Sequence, residues 1–366
     1  MAFWTTALET CNRIKIASSL TSHQRFDENG FMEALNAKDN IDAGMGNPEM
    51  QEFNDSEGRN ITTYVNRYQR VEPTQITVGA NPTYCVSGAD KPKYQKTVSF
   101  SVADRFEYKI PVSNSTFRNY CKDESKANFL NNEIRSGVNA IVSRIEQALT
   151  TQFLALRGTL VGGGLIVGGD LFQSNIPTLR RGGFISNIRQ QARNMEMKGG
   201  LYIVGDGIIS EYADTTESGL LCCNDSGYDL DNALGKTDTN FYRSPNVQTA
   251  MGANPDDVLV WGAGSVLPIY WIKNRGQYDT LSTKEQRDLN EYQGIDTHII
   301  AKIGKTDKDL PIDMSIRFDN CGTDAVYIIT LSTHAKITME IPTETFAAGS
   351  RLFGTNGAML GRPTAI

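Results

Sequence analysis

Apolar and polar residues alternate between Thr97 and Val112. Val98, Phe100, Val102, Phe106, Tyr108, Ile110 and Val112 keep one parity, interrupted only at Asp104, while Thr97, Ser99, Ser101, Arg105, Glu107 and Lys109 fill the other. A period of two predicts a strand with one apolar face, and at about 3.3 Å per residue it would reach roughly 45–50 Å. Upstream, 61–78 is rich in Thr, Tyr, Val and Ile and can return alongside it. The residues between, including Gly79, Asn81, Pro82, Gly88, Lys91 and Pro92, are dense in turn formers and predict the tip of a long hairpin. A two-stranded ribbon is marginal in water, so this arm needs a partner surface, and its tip is the candidate inter-subunit contact.

The spacing then changes to that of a helix. Leu130, Ile134, Val138, Ile141, Ile145, Leu149, Phe153 and Leu156 recur every three or four residues and form one stripe near 3.6 residues per turn. Ser125 or Asp123 can cap its start and Gly158 its end. A helix over 125–157 would run about 50 Å. Its stripe, from Leu130 to Phe153, predicts a structural spine rather than a site.

Elsewhere the pattern is mixed. Residues 1–58 show little periodicity and are punctuated by Gly30, Gly44, Gly46, Pro48 and Gly58, which suggests an extended arm lying on another surface. The glycine-rich run from Leu160 to Asp170 predicts a flexible hinge. Beyond it, a helix around Phe184–Met195, a short buried strand at Leu201–Val204 and further strands at Val258–Trp261 and Val266–Ile272 describe an α/β region. Ile312, Met314, Ile316 and Phe318 alternate with polar residues, Asn320–Thr323 turns, and Ala325–Ile341 returns; the last twenty residues predict an extended tail.

Composition narrows the function classes. The chain has 366 residues, with 36 Lys and Arg against 42 Asp and Glu, a formal net charge of −6. That length can bury a sizeable core, and the acidic balance opposes a field that draws the whole molecule to DNA or anionic lipid. The beginning of the chain lacks the pattern of a signal peptide, and no apolar run approaches the roughly 20 residues of a spanning helix. Six scattered cysteines lack a metal-binding or redox spacing.

Catalytic patterns are also missing. His23, His298 and His334 are far apart in sequence. In the glycine run, Val167 stands where the third glycine of a dinucleotide fingerprint belongs. Gly262–Val266 lacks the central serine of a nucleophile elbow. Asp225, Asp229 and Asp231 depart from calcium-loop order. Arg180, Arg181, Arg189, Arg193 and Lys198 read as a solvated basic face. The expectation is a protein with no enzyme activity, cofactor or metal.

Taken in order, an irregular arm, a long hairpin, a spine helix, an α/β region and a closing β hairpin resemble the major capsid proteins of tailed double-stranded DNA bacteriophages. Leu201–Gly207 before a helix and Trp261–Pro268 leading into a strand look like local features of that family. The resemblance implies the α+β, HK-ninety-seven-like (Johnson) fold: an N-terminal arm over 1–58, an extended E-loop over 59–113, a peripheral domain over 114–170 and 296–345, an axial domain over 171–295 and a tail over 346–366. It implies a virion protein assembled in the host cytoplasm, forming hexamers and pentamers of an icosahedral shell around double-stranded DNA without sequence specificity. A separate scaffolding protein and a portal would be partners, with no membrane involved. An encapsulin-like compartment shell and another virion protein, such as a tail tube or adhesin, remain alternatives at this point.

Overall fold

The computed structural model describes residues 29–45, 60–65, 94–99, 101–113, 124–156, 166–167, 171–174, 181–194, 197, 200–207, 209, 239–251, 256–272, 295–302, 309–321, 324–339 and 358–363. The stripe of the longest helix organises the rest. Helix α3 (Glu124–Leu156) packs on strands β3 (Arg105–Ser113) and β12 (Asp324–Met339). Leu130, Ile134, Val138, Ile141, Ile145, Leu149 and Phe153 are all buried, whereas Leu156 is 44% exposed and leaves the stripe at the helix end. Gly137 lies where an added Cβ would press on the Tyr108 ring and a Leu331 methyl, so the missing side chain lets helix and sheet approach closely.

Beneath the helix lies a five-stranded sheet. Its path runs from β10 (Ile295–Lys302) through β11 (Asp309–Cys321) and β12 to β3, with all pairings antiparallel. The long strand β12 carries β3 on one edge, while on its other edge β11 is followed by a further strand. Val326–His334 pairs with β3, and His334–Met339 pairs with β9 (Val266–Trp271). A strand expected in the axial region thus completes the sheet under the spine.

The second sheet has six strands in the order β4 (Ile166–Val167), β5 (Leu171–Ser174), β13 (Ala358–Pro363), β8 (Val258–Gly262), β6 (Leu201–Gly205) and β7 (Thr239–Arg243). Strands β6 and β8 are apolar at nearly every position because both faces are covered. Tyr202, Val204, Leu259 and Trp261 join the main core, while Leu201, Ile203, Val258 and Val260 meet helix α4 (Arg181–Asn194) in a smaller cluster. The main core runs without a break from the five-stranded sheet and spine to this second sheet.

Four expectations change. The alternating stretch is not one strand: β2 (Tyr94–Ser99) and β3 are separated by a single 3-10 turn, Val102–Asp104. Asp104, the one interruption in the pattern, accepts hydrogen bonds from the Ser101 backbone N–H (2.7 Å) and hydroxyl (2.9 Å), and Lys336 lies 3.4 Å away. Strand β2 instead pairs with β1 (Asn60–Val65) in a two-stranded sheet, from Asn60↔Ser99 to Val65↔Tyr94. Within the expected arm, helices α1 (Gly30–Asn36) and α2 (Lys38–Met45) enter the core, where Phe31, Met32, Ala34 and Leu35 are fully buried. Within the expected tail, β13 lies between β5 and β8, parallel to the first and antiparallel to the second. Within the expected hinge, Ile166–Val167 is a strand.

Candidate functional site

The polar groups buried most deeply hold the N-terminal helices to the body. Asn29, at the start of α1, makes no side-chain cap hydrogen bond. The cap comes from the spine instead. Glu146 Oε1 accepts the backbone N–H groups of Phe31 (2.7 Å) and Met32 (3.2 Å), two donors that a helix start leaves open. Its Oε2 accepts from Asn246 Nδ2 at 2.8 Å. Ser244, which also bonds the carboxylate, caps helix α5 (Pro245–Met251) through the Val247 N–H, with Pro245 in the first-turn position that suits it. Burial pushes the Glu146 carboxyl from 4.5 up to about 7, against the opposing pull of these hydrogen bonds.

Asn40 performs the same service for α2. Its amide nitrogen donates to the carbonyls of Leu35 (2.8 Å) and Val266 (2.9 Å). Its oxygen accepts from Trp261 Nε1 (3.3 Å) and Gly264 N (2.9 Å). Gly264 has φ 79°, a left-handed value that suits glycine, in the turn closed by Ser265 N to Gly262 O. Asn36 donates to the Tyr270 hydroxyl at 2.8 Å, whose proton burial makes harder to lose. Around these bonds Phe31 meets Phe153 and Trp261 edge-on at 6.1 and 5.7 Å, and Tyr202 stacks on Trp261 at 5.5 Å. Helix α1 is therefore the wedge between spine and second sheet.

On the outer surface, a groove of 730 Å³ runs between α3 and the start of β3, lined in part by Arg105, Glu107, Tyr108, Arg144, Gln147 and Thr151. Phe129, on the first turns of the spine helix, is 55% exposed. Among the described residues no three His, Cys, Asp or Glu side chains gather as a metal site, and no helix is long and apolar enough to cross a membrane.

The candidate contact residues Gly79, Asn81, Pro82, Gly88, Lys91 and Pro92 lie outside the described residues, as do His23, the aspartates 225, 229 and 231, and Lys198. His334 is half-buried, edge-on to Trp271 at 4.7 Å. The basic stretch is not uniformly solvated: Arg193 is exposed, but Arg189 is half-buried over Phe241. Sequence reading missed Glu146 and Asn40. The available signal was a carboxylate one residue beyond Ile145 and four beyond Val142, inside an otherwise apolar surface.

No family model and no curated protein matches the chain. The solved structures to which it is similar come mostly from phages, several of them capsid structures. One from Mycobacterium phage Adephagia shares 10% identity, covering 85% of this chain and 87% of that one, with a TM-score of 0.44. The cyanophage A-1(L) capsid shares 12%, covering 83% and 94%, with a TM-score of 0.42. An encapsulin complex from Synechococcus elongatus shares 9%, covering 74% and 75%, with a TM-score of 0.38.

Proposed function

We propose that the chain is a shell-forming structural subunit, the major capsid protein of a tailed double-stranded DNA bacteriophage, whose hexamers and pentamers close an icosahedral shell around the genome. The observation that carries this reading is the separate two-stranded sheet. Among the described residues β1 and β2 pair only with each other and belong to neither large sheet, and 28 residues connect Val65 to Tyr94. A ribbon of two strands has too little of its own chain to cover its faces. A neighbouring copy supplies the cover, converting buried apolar area into lattice stability at about 25 cal/mol per Å². Heterologous contacts of this kind close into rings when the rotation permits.

In this reading the hairpin of β1 and β2, over 60–99, reaches the next subunit through its tip, the spine and five-stranded sheet form the peripheral part, and the six-stranded sheet forms most of the axial part. The buried clasp at Glu146 and Asn40 keeps the subunit one body while its edges bear the contacts. A separate scaffolding protein and a portal direct closure, and the packaged DNA is held without sequence recognition. Electron microscopy of the purified chain, alone and with a candidate scaffolding protein, tests the reading. Closed shells or hexameric sheets are expected; uniform monomers under every condition would overturn it.

A further inference from the structure

Strand β3 stands at one end of the five-stranded path and, among the described residues, pairs only with β12. The groove of 730 Å³ beside α3 is lined by Arg105 and Glu107 and also by Phe106 and Tyr108. Successive residues of a strand point to opposite faces of its sheet, so a cavity that touches both sets runs along the strand's edge. Phe106 and Tyr108 turn toward the spine, whereas Arg105 and Glu107 are exposed on the other face. The helix side of the groove is low: Ala140 and Ala148 stand one turn before and one turn after Arg144 on the same row of α3.

The two halves of that edge differ. Pro111 has no N–H, which suits a position whose backbone faces away from β12, and Lys109 is an exposed charge; both discourage pairing there. In an antiparallel ladder the backbone groups turn to alternate sides residue by residue. Arg105 and Glu107, in phase with Pro111, therefore turn their N–H and C=O groups outward along the groove. An open strand edge between one apolar and one polar wall accepts an extended segment as a further strand.

We propose that the groove receives strand β1 from a second copy of this chain, which pairs with β3 beside Arg105 and Glu107 and extends the five-stranded sheet across the subunit boundary. Among the described residues β1 has a partner on one edge only, strand β2. Its sequence, Asn60–Val65, carries no charge and enters the groove without stripping water from an ionised group, whereas β2 carries Lys96. A strand of that sequence sets Ile61, Thr63 and Val65 on one face and Asn60, Thr62 and Tyr64 on the other, in keeping with the two walls. Chain continuity points the same way. The turn Val102–Asp104 precedes β3 and Ala103 lines the groove, so each copy's ribbon starts at the mouth of its own groove. A copy that gives its ribbon to one neighbour offers its groove to another, a head-to-tail contact that can repeat around a ring. The proposal rests on the shell reading and names the surface that the ribbon meets.

Hydrogen exchange of the full-length chain, assembled and dissociated by dilution, tests it. The amides of Arg105 and Glu107, and those of 60–65 that β2 leaves unpaired, should exchange about tenfold or more slowly in the assembled state. Glu107→Pro removes one outward N–H and leaves the ladder to β12. The thermal midpoint of its subunit should stay within about 3 °C of wild type, while self-association in sedimentation velocity weakens roughly tenfold. Glu107→Ala keeps that N–H and should associate like wild type, since the ion pairs it loses are exposed. Ala140→Trp, at an exposed helix position, fills the groove without touching the strand and should weaken association as much as the proline does. If Glu107→Pro does not fold, the exchange comparison and Ala140→Trp decide without it.

Equal exchange at Arg105 and Glu107 in both states, in a chain that does assemble, would overturn the proposal and leave the shell reading standing. Protection there without protection at 60–65 would put another segment in the groove and equally overturn it. So would protection that needs an added scaffolding protein, or unchanged association of a folded Glu107→Pro or Ala140→Trp. Wild type that stays monomeric throughout would overturn both readings.

Discussion

Glu146 is fully buried, yet its two oxygens serve two segments that are far apart in the chain. Its carboxyl is raised in the folded state from 4.5 to about 7, so the folded chain takes up a proton in that interval. The stability this provides is fully present below about 4.5 and is lost as pH rises through about 7. A rise of that size corresponds to roughly 3 kcal/mol between the two limits. Glu146→Gln keeps an acceptor for the Phe31 and Met32 N–H groups without the charge. Denaturant titrations should show the variant more stable than wild type at pH 8 and flatter between pH 4.5 and 7. A wild type whose stability does not fall across that interval would contradict the buried, raised carboxyl.

Gly30 gives a second test at this scale. A Cβ there would overlap the backbone carbonyl of Arg243, which cannot swing aside as a side chain can. Gly30→Ala should therefore lose about 2–4 kcal/mol in chemical unfolding, although alanine is the better helix former. A neutral result would mean that α1 does not dock against β7.

At the scale of elements, legibility followed periodicity. The spine was readable because a stripe of one residue type at 3.6-residue spacing has few other solutions, and β6 and β8 were readable as short apolar runs covered on both sides. The β2–β3 break was visible only as a single wrong residue, Asp104. Whether an aspartate ends a strand depends on what its carboxylate can reach, here Ser101 nearby and Lys336 far along the chain. Strand β13 was not readable at all: Ala358–Pro363 is short, and glycines surround it. It holds its place through hydrogen bonds on both edges and through the paired contacts of Arg362 with Asp257 at 2.7 and 2.6 Å. Ending the chain before Ala358 should open the sheet between β5 and β8. Hydrogen exchange of the β8 amides should then lose its protection, and apolar dye binding should rise as Met359 leaves the cluster around Phe184. Unchanged protection would show that β13 adds nothing to the sheet.

At the scale of the molecule, one core joins the spine, both sheets and the N-terminal wedge, while among the described residues β1 and β2 form a sheet of their own. Folding and assembly therefore depend on different residues. Removing 79–92 should leave the thermal midpoint of the subunit within about 2 °C of wild type, because the deletion takes away none of the described core residues. Electron microscopy of the same variant should show no stable shells. Shells of normal appearance would sink the idea that the hairpin locks neighbours together.

The sequence by itself determined the elements whose stability is local or repetitive: the spine stripe, the doubly covered strands and the presence of a paired ribbon. Its order of elements was enough to suggest a shell subunit. Only the tertiary structure decided which sheet each strand joins, that β13 fills the middle of one, that helix α1 belongs to the core, and that Glu146 caps a helix 115 residues away in sequence. The physical reason is the same in each case. A buried polar group or a short strand is stable only with a particular distant partner, and no local pattern of residues records which partner that is.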